Sequence, residues 1–169
     1  GLCLELDGER FAGLAERYAD LPKVSLDRTR VSPDNICATL AAHNIPRNFG
    51  ILSLDIDSYD HDVLASLLES FSPRVIVAEI NEKVPPPIFF AARYDATHAF
   101  DGVCYGQSLS ALTELSARSG YRLRQCEYNN AFLLHESICK EPAMICLTSH
   151  SHCLSRSSMS LTQLTITST

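Results

Sequence analysis

Two apolar runs of the chain end in polar side chains at matching positions. Asp55 and Asp57 follow the run GILSL, and Glu79 and Asn81 follow the run RVIVA. An apolar run bounded by polar residues is typical of a strand buried on both faces of a parallel sheet. Open parallel sheets bind their ligands at the carboxyl ends of the strands. We therefore expect the floor of an active site at this edge.

Two kinds of chemistry fit these residue types. The carboxylates of Asp55 and Asp57 could bind a divalent cation, with Glu79 and Asn81 as weaker additional ligand candidates. Alternatively, one of the two aspartates could position a ligand amine or act as a general base. A structural role is also open, in which Asp57 caps the next helix and Asp55 accepts backbone hydrogen bonds. Two close carboxylates repel each other unless a cation or a donor lies between them.

A third acidic position follows the first apolar run of the chain. Glu5 ends that run, and Asp7 begins the turn that follows. In nucleotide-binding α/β folds, an acid at the end of an early strand accepts hydrogen bonds from ribose hydroxyls. The alternative for Glu5 is an ordinary acid in a surface turn.

Strand and helix patterns alternate four times along the chain and are followed by two strands joined by a tight turn. The predicted strands are 1–6, 24–26, 50–56, 74–80, 121–127 and 131–135, and the predicted helices are 8–19, 32–44, 59–70 and 108–119. Such alternation predicts an α/β fold with a mostly parallel sheet covered on both faces, ending in an antiparallel hairpin. Ser32, Ser108 and either Asp57 or Ser58 are the expected helix N-caps.

Domain organisation follows from where these patterns stop. Residues 1–135 are predicted to form one α/β domain. Residues 136–169 are rich in serine and threonine towards their end, without a sustained period, and predict a disordered tail. The connection 82–107 is long for a compact domain, and such loops are usually functional or mobile.

Composition excludes several classes of protein. The 169 residues are 46% hydrophobic and carry a formal net charge of −6, which disfavours nucleic acid as a partner. No apolar run is long enough to span a membrane, and no signal peptide is visible. Seven cysteines without a regular framework indicate reduced thiols in the cytoplasm. Location in an organelle is the alternative, because the N-terminus of the natural protein is not established.

Four segments together resemble FkbM-like class I S-adenosylmethionine-dependent methyltransferases. They are LELDGERFAGLAERY, FGILSLDIDSYDHDVL, SPRVIVAEIN and FDGVCYGQSLSALTELSARSGYRLRQCEYNNAFLL. Each motif alone is weak, but their order and spacing are fairly specific, and they cover roughly residues 1–135. The resemblance implies a Rossmann-like seven-stranded sheet with strand order 3-2-1-4-5-7-6, and S-adenosylmethionine as the cofactor.

The same resemblance implies roles for individual residues. Glu5, with Asp7 close by, would take the ribose of the cofactor. Asp55 and Asp57 would lie beside its methionine end and the methyl acceptor, and Glu79 would lie on the neighbouring rim. The acceptor is expected to be a small molecule methylated on oxygen.

The chain departs from the family pattern in two places. It begins at what should be the second strand, so the first strand and its Gly-rich loop are missing from it. Without the first strand, the edges of strands 1–6 and 50–56 must close on each other, pair with a partner or associate with another copy. Ser58 stands where the family has a glycine after the acid.

Two further hypotheses remain beside methyl transfer. Asp55-Ile56-Asp57 is also the DxD pattern with which nucleotide-sugar glycosyltransferases hold a metal and a diphosphate. The missing Gly-rich loop favours instead a non-catalytic domain that keeps the fold without the activity.

Overall fold

The computed structural model describes residues 1–97, 104–139 and 163–167. In this part of the chain, seven strands form a single open sheet and four helices pack against it. The strands are β1 (Leu2–Leu4), β2 (Ser25–Asp27), β3 (Ile51–Asp55), β4 (Val75–Glu79), β5 (Tyr121–Glu127), β6 (Asn130–His135) and β7 (Gln163–Thr167). The helices are α1 (Gly8–Arg17), α2 (Ile36–Ala42), α3 (Asp60–Leu68) and α4 (Leu109–Arg118), with a short 3-10 helix at Glu136–Ile138.

The order of the strands in the sheet is β2-β1-β7-β3-β4-β6-β5. Strand β1 is parallel to β2, and β3 is parallel to β4, whereas β6 is antiparallel to both of its neighbours. The predicted α/β class and the hairpin of β5 and β6 are therefore confirmed, and the architecture is compatible with a Rossmann-like fold. Strand β7 is antiparallel to both β1 and β3, which makes the sheet mixed at its centre.

Strand β7, near the centre of the sheet, contradicts the prediction of a disordered tail. Strand β7 comes from that tail and pairs with both edges that were expected to lack a neighbour. Leu164 and Ile166 are fully buried and alternate with threonines, which is the period of a strand. The prediction of disorder is wrong for these residues and for the 3-10 helix. Residues 140–162 and 168–169 lie outside the described part.

The hydrophobic core lies on one face of the sheet. Alternate residues of five neighbouring strands point to it, and all are fully buried: Leu2, Leu4, Leu164, Ile166, Leu52, Leu54, Ile76, Ala78, Ala131 and Leu133. Helices α2 and α3 contribute Ile36, Leu40, Val63, Leu64 and Leu67 to the same core cluster. Helix α1 buries none of its side chains, and Ile51 on the opposite face of β3 is 41% exposed.

The helix starts agree only in part with the predicted caps. Ser108 caps α4, because its hydroxyl accepts a hydrogen bond from Ala111 N. The prediction for Ser32 is wrong, since α2 begins at Ile36 after a turn in which Asn35 Oδ1 accepts a bond from Ser32 N. Neither Asp57 nor Ser58 caps α3, which begins at Asp60 without a side-chain cap. No helix in the described part of the chain has the length and apolar character needed to cross a membrane.

Candidate functional site at the carboxyl ends of β3 and β4

The two neighbouring parallel strands β3 and β4 bring three predicted acids together. Leu54 lies opposite Ala78 in the register, so the acids that follow them, Asp55 and Glu79, lie beside each other. Asp57 is two residues further along the chain. One carboxylate oxygen from each of the three lies within 4.8 Å of the others. These three acids are called the acid cluster below.

Burial changes the protonation of Asp55 and Glu79, two members of the acid cluster. Burial is the main cause that raises the pKa of Asp55 to about 9, and the neighbouring charges of Glu79 and Asp60 contribute to the same rise. Burial also raises the pKa of Glu79 to about 7. At neutral pH the pair therefore holds a proton that it would lose in water, mainly on Asp55.

The hydrogen bonding of the pair agrees with a shared proton. Asp55 Oδ1 and Glu79 Oε2 are buried and have no hydrogen-bond partner when both groups are treated as acceptors. A proton on Asp55 turns that carboxyl into a donor and lets it hydrogen-bond to Glu79. The arrangement can accordingly give or take one proton near neutral pH, or exchange that proton for a cation.

Asn129 orients Glu79 and was not singled out by its sequence context. It lies in the turn between β5 and β6, where its Nδ2 donates to Glu79 Oε1 at 2.6 Å. Its carbonyl also accepts a bond from Ile80 N at 2.7 Å. The sequence marks this position only as a turn, since the contact depends on β6 pairing with β4.

Asp60 holds the backbone on which Asp57 stands. Its carboxylate is completely buried and accepts bonds from Ile56 N at 2.9 Å and Ser58 N at 3.1 Å. Asp57 lies between these two donors, with a positive φ of 52°. Burial raises the pKa of Asp60, and the backbone hydrogen bonds oppose that rise. Asp60 therefore positions the acid cluster, a role that its place in the first turn of α3 does not reveal.

Glu5 and Asp7 are engaged in local structure. Glu5 is 4% exposed, and its Oε1 accepts a bond from Asp7 N at 2.8 Å. Asp7 Oδ1 accepts from the backbone of Glu9 and Arg10 and so caps α1. Leu4 of β1 and Leu54 of β3 both pair with Leu164 of β7, which lies between them. Glu5 and Asp55 are the next residues, so their backbones are about 10 Å apart, the width of two strand spacings. The structure does not bring Glu5 into the acid cluster.

Asn81 ties down the connection between β4 and α4. Its Nδ2 donates to Tyr105 O at 3.2 Å, and its Oδ1 accepts from Lys83 N at 3.1 Å. Both ends of its amide thus contact this connection. This observation favours a structural role over the metal-ligand role considered for Asn81.

The connection between β4 and α4 also reaches the turn that carries Asp57. Gly106 N donates to Ser58 O at 2.6 Å, and Gln107 O accepts from Asn81 N at 2.7 Å. Gln107 is fully buried, yet neither polar atom of its side chain has a hydrogen-bond partner. Its place between the ends of β3 and β4 makes Gln107 a further polar residue at this edge, and no sequence motif indicated it.

Comparisons with protein-family models, curated proteins and solved structures found no significant match to this chain.

Proposed function

We propose that this chain is a S-adenosylmethionine-dependent methyltransferase domain that transfers the methyl group to an oxygen of a small molecule. The observation that carries the proposal is the acid cluster at the carboxyl ends of β3 and β4, with Glu5 on the same level at the end of β1. The strand order supports it. Apart from β7, the six strands have the relative order that the family resemblance implies.

In this proposal the carboxyl end of β1 has a different role from the carboxyl ends of β3 and β4. Glu5 accepts a hydrogen bond from the cofactor ribose through Oε2, since Oε1 is engaged with Asp7 N. Asp55 and Asp57 lie beside the methionine end and the acceptor. Glu79 shares a proton with Asp55 and keeps it in a defined protonation state.

The reaction needs few groups from the protein. The acceptor oxygen attacks the methyl carbon, the bond between that carbon and the sulfonium sulfur breaks, and S-adenosylhomocysteine leaves. The hydroxyl proton passes to the carboxylate of Asp57, acting as general base. Alignment of the two reactants supplies much of the rate, which is why Asp60 and its hold on the backbone of Asp57 are important.

Isothermal titration with S-adenosylmethionine and S-adenosylhomocysteine tests the proposal. We expect micromolar binding that weakens by about tenfold or more in Glu5→Gln, which corresponds to one lost charge-assisted hydrogen bond. Glu9→Gln is the matched control, because Glu9 is exposed on α1. Absence of binding by the folded wild-type chain would contradict the proposal.

A second candidate function is favoured by the spacing of the acid cluster itself. Three carboxylate oxygens within 4.8 Å can bind Mn²⁺ or Mg²⁺, as a DxD-type nucleotide-sugar glycosyltransferase requires. We expect this candidate to replace the first if a sugar nucleotide binds only with Mn²⁺ and Asp57→Asn abolishes that binding. If neither class of ligand binds, the non-catalytic hypothesis takes precedence.

A further inference from the structure

Exposed apolar side chains are concentrated at the edge of the sheet that holds the acid cluster. Four of the six large apolar side chains that are exposed in the described part of the chain lie there, each 53–55% exposed. Leu6 follows β1, Ile88 and Phe89 follow β4, and Tyr128 lies in the turn between β5 and β6. Single exposed apolar residues are normal, whereas several around one site mark a place where a ligand or partner binds.

The pair after β4 belongs to a loop with a fixed backbone. This loop, residues 84–89 with the sequence VPPPIF, is called the apolar loop below. Its three consecutive prolines restrict the backbone, and Ile88 N donates to Pro85 O at 3.1 Å within it. Directly after it, Phe90 N donates to Ser108 Oγ at 3.0 Å, and Ser108 N donates to Phe90 O at 2.8 Å. The exposed side chains are therefore preorganised, and a ligand that binds them has little loop ordering to overcome.

The apolar loop contacts the helix whose first turn positions the acid cluster. The ring of Phe89 meets the ring of His61 edge to face, with the two centroids 6.2 Å apart. His61 directly follows Asp60, whose carboxylate holds the backbone on both sides of Asp57. Apolar contact area and a carboxylate thus lie next to each other at this edge.

The charge of the edge limits which polar group a ligand can bring to it. The three carboxyls of the acid cluster stay net negative with one proton shared by Asp55 and Glu79, and the whole chain has a formal net charge of −6. A phosphate or carboxylate on the ligand would meet like charge. A neutral hydroxyl can instead donate a hydrogen bond to a carboxylate.

The proton acceptor of the proposed reaction narrows the kind of hydroxyl. A carboxylate is a weak base, and it takes a proton more readily from an acidic hydroxyl. A phenol has a pKa of about 10, whereas a hydroxyl that resembles water has a pKa of about 16. A phenol also supplies an aromatic ring, which can contact Phe89 and the other exposed apolar side chains of this edge.

We propose that the methyl acceptor is a neutral phenol whose aromatic body lies against the apolar loop while its hydroxyl reaches Asp57. This inference rests on the proposed function, because it names the substrate class of the same site. The phenol oxygen attacks the methyl carbon of S-adenosylmethionine, and the bond from that carbon to sulfur breaks with its electron pair left on sulfur. The phenolic proton passes to the carboxylate of Asp57. The products are an aryl methyl ether and S-adenosylhomocysteine.

A matched pair of probes tests the substrate class. 4-Ethylphenol and 4-ethylcyclohexanol have the same skeleton and differ in the acidity of the hydroxyl. Each is incubated with the full chain and S-adenosylmethionine that carries a tritiated methyl group, and the labelled product is extracted and counted. We expect the phenol to be methylated faster by about a hundredfold or more. Equal rates, a faster reaction of the alcohol, or no methylation of the phenol would overturn the inference.

A substitution in the apolar loop tests where the phenol binds. We expect Phe89→Ser to raise the KM for 4-ethylphenol about tenfold and to change kcat by less than about twofold, because Phe89 contacts the ring and not the reacting atoms. Leu21→Ser is the matched control, since Leu21 is 50% exposed and precedes β2, at the opposite edge of the sheet. An unchanged KM in Phe89→Ser would overturn the inference. Binding to phosphatidylcholine vesicles that Phe89→Ser abolishes, with KM unchanged, would assign the apolar loop to a lipid surface instead.

Titration of S-adenosylmethionine into the same proteins distinguishes the two levels of failure. We expect Phe89→Ser and Leu21→Ser to bind the cofactor as the wild type does. A wild-type chain that binds the cofactor but does not discriminate between the two probes would overturn the substrate class alone. A folded wild-type chain that does not bind the cofactor would overturn the proposed function and the phenol acceptor with it.

Discussion

Strand β3 has two neighbours of opposite character. On one side β4 is parallel to β3 and ends in Glu79, one of the three carboxylates of the acid cluster. On the other side β7 is antiparallel to β3 and contributes two core residues and backbone hydrogen bonds. One neighbour of β3 therefore builds the candidate site, whereas the other completes the sheet that supports it.

The largest expected effect comes from placing a charge in the core face of each neighbour. We expect Ile76→Asp in β4 to abolish cooperative unfolding, because a buried, unpaired carboxylate costs several kcal/mol. We expect Leu164→Asp to release β7 but to leave a folded remainder with a lower melting temperature, since α2 and α3 still cover the core. Thermal unfolding followed by circular dichroism measures both. Equal loss of structure in the two variants would show that β7 is as integral as β4.

A smaller effect is expected at the turn that supports the β4 side. Asp60→Ala removes the acceptor of Ile56 N and Ser58 N, and each buried donor left without a partner costs about 1–3 kcal/mol. We expect a loss of about 2–5 kcal/mol by chemical denaturation, with a smaller loss in Asp60→Asn, which keeps one acceptor. Asp34→Ala, at an exposed position, is the control. A loss of unfolding free energy no larger than that of the control would show that Asp60 does not position the backbone of Asp57.

The smallest effect is the pH dependence that Asp55 and Glu79 give to stability. The pKa values of Asp55 and Glu79 are raised in the folded state, so the folded protein binds more protons than the unfolded chain between about pH 4 and pH 9. Stability from this pair is fully present below about pH 4 and falls as the pH rises through 7 and 9.

Asn and Gln substitutions of the pair test this dependence. We expect the melting temperature of Asp55→Asn to exceed that of the wild type by about 2–4 °C at pH 8, and the difference to vanish near pH 4, because about 1 kcal/mol shifts the transition by that amount. Glu79→Gln should show the same trend over a narrower range, up to about pH 7. A difference that is independent of pH would mean that neither carboxyl has a raised pKa.

The sequence predicted one side of β3 far better than the other, and the reason is physical. The run RVIVA has a strong strand pattern, and its place one helix after β3 sets its neighbour and direction by the right-handed connection rule. The segment QLTIT contains only two apolar residues, and its pairing depends on edges more than 100 residues away in the chain. Long-range pairing of this kind leaves no local signal.

The candidate site shows the same division between local and distant information. Asp55, Asp57 and Glu79 were predicted because they lie at the ends of apolar strand patterns, and the structure brings them together. The sequence did not predict Asn129 and Gln107 as parts of the site. Their positions depend on the pairing of β6 with β4 and on the path of the connection before α4. Glu5 and Asp7 were expected at the cofactor, and the structure shows the local hydrogen bonds that already engage them.

Carboxyl-detected NMR titration of the ¹³C-labelled protein tests most directly the claim that β3 and β4 build a proton-sharing site. Assignment through Asp55→Asn and Glu79→Gln identifies the two signals. We expect midpoints near pH 7 for Glu79 and near pH 9 for Asp55. Midpoints for both groups near pH 4, as for independent carboxyls in water, would contradict it.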